Sequence, residues 1–168
     1  IYLIYTKKTG YVYFSFSEYN IYYTIISPIL YLLFQDFIFY FMHRLAHIPI
    51  LYKNIHYIHH KFRFPTSWVG RISHSIDSNL ENIAFTVPAL VFPIHLYLWQ
   101  FCLILSFFWG NLLHDSTNKI SIPYLNDNSD HCLHHYYGQQ NYNFAYYFNH
   151  LDKLFGTYKK SVKISSSS

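Results

Sequence analysis

Residues 82–113, "NIAFTVPALVFPIHLYLWQFCLILSFFWGNLL", contain no Asp, Glu, Lys or Arg, and residues 19–42 contain only Asp36. Each run exceeds the roughly 18 residues at which an apolar stretch becomes a membrane-spanning candidate. A dispersed chain needs charge over its surface, yet only 12% of these 168 residues are charged, about half the share in an ordinary globular domain. The expected fold class is therefore all-α, an integral membrane helical protein. Neither run reads as a cleavable leader: the first is too long for one, contains Asp36, and leads directly into a histidine-rich stretch.

Ten of the twelve Lys and Arg residues fall in 44–81 or 114–163. The positive-inside bias then places both segments on the cytosolic face, so the histidine-rich cap is expected to face the cytosol. Because these basic residues flank membrane runs, no nucleic-acid partner is expected. One face for both segments requires an even number of crossings in 82–113. As a single helix that run would extend ~48 Å, well beyond a ~30 Å hydrocarbon core. A helical hairpin resolves the conflict, with its bend near Pro88, Pro93 and His95. A single crossing would instead separate His114 and everything after it from the histidines before residue 60. Residues 1–18 are expected to be an N-terminal connector, 19–160 one membrane-embedded domain, and 161–168 a disordered tail. The chain begins with Ile rather than Met, so an incomplete chain with upstream membrane segments is expected. Two isolated cysteines, Cys102 and Cys132, form no disulfide framework and suit a reducing compartment.

The chain has twelve histidines, and eight of them fall into one HxxxH, His43/His47, and two HxxHH boxes, His56/His59/His60 and His131/His134/His135. On an α-helix, positions i, i+3 and i+4 share one face, so each box is expected to present its imidazoles in one direction. Neutral imidazole ligates iron, zinc and copper. One such histidine is usually an ordinary hydrogen-bonded residue, but three boxes in one short chain favour metal, and offer more nitrogens than a single four-coordinate ion can use. His114 is expected to add a ligand, with Asp115 accepting from its ring N–H. His74 is a further candidate, with Asp77 one turn away. His95, at the supposed bend, is expected to be structural, and His150 a local contact. The 19 Tyr and 16 Phe fit interfacial belts and a general compositional bias.

The order HRxxH, HxxHH, "HSID", "HD", HxxHH and a closing "LDKLFGTY" resembles the fatty acid hydroxylase/sterol desaturase superfamily, from about Ser27 to Tyr158. "HSID" and "HD" bring it nearest to the sterol C-5 desaturase branch, and "FRFPT" and "YNF" follow the second and third boxes as they do there. The resemblance implies a non-haem site of two iron ions, with O2 as co-substrate, that introduces a C5=C6 double bond into a sterol. It implies as ligands His43, His47, His56, His59, His60, His114, His131, His134 and His135, with His74 as a possible tenth. It also implies electrons from NAD(P)H through a reductase and a separate cytochrome b5, and residence in the endoplasmic reticulum. Hydroxylation of a sterol or fatty acyl chain is the alternative within the same chemistry. An inactive or zinc-loaded structural membrane protein is the alternative outside it, since imidazole clusters also bind zinc.

Asp36, an ionisable residue inside a membrane run, is expected to bond a ligand histidine or to pair with Arg44. Departures from the branch pattern include Arg71 in place of a histidine, Ser75 in place of the Pro of H-P-x-D, Ala145–Tyr146 in place of Gly-Gln, and Leu151 in place of a Trp. They bear on substrate identity more than on the metal ligands.

Overall fold

The computed structural model describes residues 12–117 and 122–160, and within them the protein is mostly helical. Most of the expected N-terminal connector (1–11) and the expected tail (161–168) lie outside the described residues.

Helix α1 is Ile21–Ala46, 26 residues and about 39 Å long. Asn20 caps it by accepting from the Tyr23 N–H at 2.8 Å. Pro28 removes the N–H that would have reached the Thr24 carbonyl, and the Ser27 hydroxyl donates to that carbonyl instead, at 3.2 Å. The buried side of α1 runs Thr24, Ser27, Tyr31, Gln35, Phe39, His43, and much of the exposed side is Ile, Leu and Phe. Polar groups inside and aliphatic ones outside is the arrangement a lipid solvent demands.

Helix α2 is broken: Pro49–Leu51, a π-helical stretch Tyr52–His56, then Tyr57–His60. A 3-10 turn, Val69–Arg71, leads to α3, Ser75–Thr86, which is followed by the short α4, Pro88–Val91. The two-residue strand β2, Ile94–His95, pairs in parallel with β1, Val12–Tyr13. Helix α5, Leu96–Leu113, then runs back, with Trp99, Cys102, Ser106, Gly110 and Leu113 buried and Phe101, Ile104, Phe107 and Phe108 exposed. Helices α6, Asn128–Tyr137, and α7, His150–Leu154, complete the cap.

The chain thus turns back at 92–95, where the prolines and His95 placed the bend. The Tyr23 hydroxyl donates to the Pro93 carbonyl at 2.8 Å, so the bend sits beside the first turn of α1, at the end remote from His43. The first arm of the hairpin differs from expectation. It starts at Ser75 rather than at the apolar run and carries Asp77, Asn79 and Glu81 along its first turns. Among the described residues, only α1 and α5 are long and apolar enough to cross a membrane. His95 is structural, as expected: its Nε2 donates to the Phe14 carbonyl at 3.2 Å, its Nδ1 caps α5 by accepting from the Tyr97 N–H, and its ring stacks on Phe16.

A polar network ties α1 to α5 inside this apolar frame. Gln35 donates to the Ser106 and Tyr147 hydroxyls, both at 3.1 Å, and the Tyr146 hydroxyl donates to the Ser106 carbonyl at 2.7 Å. Gly110 gives Tyr146 its room, because a Cβ there would collide with the Tyr146 hydroxyl.

Candidate metal centre

His43 and His47 end α1, His114 ends α5, and α2 and α6 lay their HxxHH boxes across that end. All nine of these histidines are buried. Their ligand-capable atoms form two groups, each within 4.8 Å of one another: His43, His47, His56, His60 and His134, and His59, His114, His131 and His135. Each HxxHH box therefore serves both groups. In each, the first and last histidines join one group and the middle one crosses to the other. His56 lies in the π-helical stretch, whose wider turn alters the side-chain phase from that of a plain α-helix. The two groups are contiguous, the His60 and His135 rings stacking with centroids 4.6 Å apart.

The outer ring nitrogens are fixed by oxygen acceptors. Nδ1 donates to the Phe144 carbonyl in His43 (2.9 Å), to the Gly110 carbonyl in His114 (2.7 Å) and to the Tyr142 carbonyl in His134 (2.7 Å). His56 Nδ1 meets Asp77 Oδ2 at 2.8 Å, and His59 Nδ1 donates more weakly to the Ile72 carbonyl at 3.4 Å. Such partners select the tautomer whose Nε2 carries a lone pair pointing inward. The Nε2 of His114 accordingly lies 3.2 Å from that of His59 and 3.0 Å from that of His131, and the Nε2 atoms of His56 and His60 are 3.1 Å apart. Two nitrogens about 2.1 Å from one ion and at right angles to each other are ~3.0 Å apart. Seven further ring nitrogens, both of His47 and His135 and one each of His60, His131 and His134, are buried without a hydrogen-bond partner among the described residues. Each such orphan costs about 1–3 kcal/mol, so the set fits cations far better than it fits a closed core.

Burial favours the neutral, ligating form at seven of these imidazoles. It pushes His114 down to about 4 and drives His47, His59, His60, His131, His134 and His135 well below the ordinary imidazole value, with neighbouring histidines adding to the effect in all but His114.

Four sequence expectations change. His74 joins neither group: half-exposed, it caps α3 by accepting from the Ile76 N–H at 3.2 Å. Asp77 serves His56 rather than His74. Asp115 does not hold His114, whose Nδ1 is taken by Gly110; Asp115 accepts from the Thr117 N–H at 2.9 Å, closing a local turn. Asp36 reaches neither a histidine nor Arg44. Its Oδ1 accepts from the backbone N–H groups of Tyr146 (3.0 Å) and Tyr147 (2.7 Å). His150 is exposed on α7 and contacts the Phe148 ring.

The supporting residues that sequence reasoning missed lie in 142–147. Asp152 clamps this loop, accepting from the Phe144 and Ala145 N–H groups at 2.9 Å each. Asn143 sits at a φ of 54° and binds the Asp130 and Lys159 carbonyls. The clamped loop then presents the Tyr142 and Phe144 carbonyls to His134 and His43. "YNF" and "LDKLFGTY" were visible as motifs, but what reaches the histidines is a pair of backbone carbonyls, which residue types do not announce.

Asp77→Ala is expected to leave the fold intact and weaken metal binding about 10- to 100-fold, by freeing the His56 ring to take the wrong tautomer. Zinc titration of the purified chain checks this, and unchanged affinity would show that the pair is incidental.

Two openings reach the histidines. On the cap side, a cleft of about 590 Å³ is lined by His60 and His135 with Tyr52, Tyr57, Tyr136 and Tyr137, and is framed by Lys53, Lys61 and Arg63. On the helix side, a slot between α1 and α3 lined by Phe39, Met42 and Leu80 reaches His43 and His56, with room of about 10 Å³.

A family model described as fatty acid hydroxylase matches residues 28–157. Among curated proteins, the chain is 32% identical to Delta(7)-sterol 5(6)-desaturase ERG3B of Gibberella zeae over 88% of this chain and 46% of that protein. It is 30% identical to a Delta(7)-sterol 5(6)-desaturase of Aspergillus fumigatus over 83% of this chain and 39% of that one. Human lathosterol oxidase is 29% identical over 84% and 48%. The chain spans about half the length, or less, of these relatives. No solved structure matches it. With its two membrane-length helices, its two buried histidine groups and a family match running from the first membrane helix through the third box, the chain belongs to the fatty acid hydroxylase family.

Proposed function

We propose that this chain is the metal-binding core of a non-haem diiron, O2-dependent sterol desaturase that forms a C5=C6 double bond in a Δ7-sterol. The observation that carries the reading is the pair of contiguous all-imidazole groups at the inner end of two lipid-facing helices, in a chain whose relatives are sterol 5(6)-desaturases. His43, His47, His56, His60 and His134 would hold one iron, and His59, His114, His131 and His135 the other. Bound there, iron would supply the O2 activation that breaks unactivated C–H bonds. The balance is one O2, two electrons and two protons consumed with two substrate hydrogens, giving one alkene and two waters.

The protein's own part is positional. Asp77 and the Phe144, Tyr142 and Gly110 carbonyls orient the imidazoles, and burial favours the unprotonated form at His47, His59, His60, His114, His131, His134 and His135. A sterol approaches from the lipid side, where the slot between α1 and α3 now has room for about one water, so these helices part to admit it. Electrons come from the cap side, where Lys53, Lys61 and Arg63 suit an acidic carrier such as cytochrome b5, itself reduced from NAD(P)H by its reductase. The cap faces the cytosol and the membrane is that of the endoplasmic reticulum.

The test is metal content and product together. Grown with iron, the chain should carry about two irons, and His59→Ala/His134→Ala, which strikes one ligand from each group, should lose both. Supplied with a Δ7-sterol, O2 and a reducing chain, it should yield a diene. An alcohol product would move the assignment to the hydroxylase alternative. Two zincs with no turnover would favour the structural one, and less than one metal of any kind would overturn the site.

A further inference from the structure

The segment between the second box and α3, "KFRFPTSWVGRI", has two sides. Its inner side touches the second histidine group at two points and the turn just after His114 at a third. The Ile72 carbonyl accepts from His59, the Pro65 carbonyl accepts from the Ser116 N–H at 3.4 Å, and Gly70 lies under the His114 ring so closely that a Cβ would be 2.7 Å from its Nδ1. Its outer side is aromatic and largely exposed, the Phe64 ring meeting that of Tyr136 on α6. Trp68 is 85% exposed and Phe64 73%, a large apolar cost if this face met water alone.

Where the segment lies relative to α5 says what covers it. The Arg71 guanidinium donates to the Phe107 carbonyl at 3.1 Å and stands 3.8 Å from the Phe107 ring centroid. Phe107 is six residues before Leu113, about 9 Å back from the end of a helix whose 18 residues span about 27 Å, close to the thickness of the hydrocarbon core. The segment therefore descends beside the last turns of α5, continuous with its lipid-facing side. Indole and phenyl rings beside an arginine whose guanidinium lies over a phenyl ring are the side chains that settle where lipid meets headgroup.

We infer that residues 61–72 are a strap seated in the bilayer interface through Phe64 and Trp68, and that this seat braces the second histidine group through Gly70 and Ile72. The lipid thus becomes part of the support of His59 and His114. The seat follows from geometry and exposure alone, whereas the bracing rests on the proposed metal reading.

The experiment uses the full chain in phosphatidylcholine nanodiscs. The Trp68 signal is isolated by subtracting the emission of Trp68→Phe, since Trp99 is buried and Trp109 partly so. Brominated phosphatidylcholine is expected to quench most of that signal, and aqueous iodide little of it. Strong iodide quenching with none from bromolipid would overturn the seat, and is the result expected if a soluble protein covers this face instead. For the bracing, zinc-loaded chain is exposed to a chelator. Phe64→Ser/Trp68→Ser should release one of its two zincs several-fold faster than the parent, and equal release would overturn the bracing. If the parent takes up no zinc, the metal reading fails while the quenching still decides the seat.

Discussion

Gly70→Val is expected to leave the protein folded and, on the proposed reading of one metal in each histidine group, to keep one metal per chain instead of two. The built Cβ at position 70 comes within 2.7 Å of His114 Nδ1 and 2.9 Å of its Cγ, separations that real side chains do not adopt. Gly70 has no left-handed backbone angle, so the cost is collision rather than backbone strain. The His114 ring has little room to yield: its Nδ1 is bonded to the Gly110 carbonyl at 2.7 Å, and its Nε2 faces His131 and His59 at 3.0 and 3.2 Å. Displacing the ring breaks the Nδ1 bond and turns Nε2 away from its group together. Loss of an orienting contact alone weakens a metal about 10- to 100-fold, and loss of the ligand as well should empty the second group under ordinary dialysis. The first group has no member in contact with Gly70 and should keep its ion. Metal analysis with the O2-dependent assay checks this: one metal and at least a hundredfold loss of turnover are expected. Two metals and full turnover would show that the 3-10 turn moves away cheaply. Gly70→Ala, with one methyl to accommodate, should fall between.

The existence of this centre was legible because its ligands are residue types. Nine of the ten candidate histidines come together, and the parity of the charge pattern foresaw the turn near Pro93 that keeps His114 on the same side as His43. Partner choice was not legible. Asp77 stands one turn from His74 in sequence, yet its acceptor role goes to His56, 21 residues away, because α3 packs along α1 and lays its first turn against the second box. The HxxHH spacing predicts a common direction for each box, but not how its imidazoles divide between the two groups. Two groups this close straddle one helix face, so the i+3 imidazole falls on the far side of the line between them. The π-helical turn at Tyr52–His56 carries no residue signature that separates it from an ordinary helix. Nor could residue types announce that the strongest supports of His43 and His134 are carbonyls in a loop clamped by Asp152.

Asp36→Ala is expected to cost the protein about 2–6 kcal/mol, from the two backbone donors it would strand at about 1–3 kcal/mol each, and to disorder the metal centre without touching a ligand. Asp36 is fully buried on α1, and its Oδ1 alone receives the N–H groups of Tyr146 and Tyr147. Those residues lie two and three positions after Phe144, whose carbonyl orients His43, and carry the hydroxyls that meet Gln35 and Ser106. One carboxylate oxygen thus joins the first membrane helix to the loop that supports the centre. Asp36→Asn separates this role from an electrostatic one. The amide keeps a carbonyl oxygen able to accept both bonds, which alanine does not. The asparagine variant should therefore keep most of its thermal stability in detergent and its metal content, while alanine loses both. If Asp36 acted through its charge on a ligand histidine, asparagine would fail as badly as alanine, with metal affinity falling before stability. The order of those two losses along a denaturant or temperature series distinguishes a brace from an electrostatic partner.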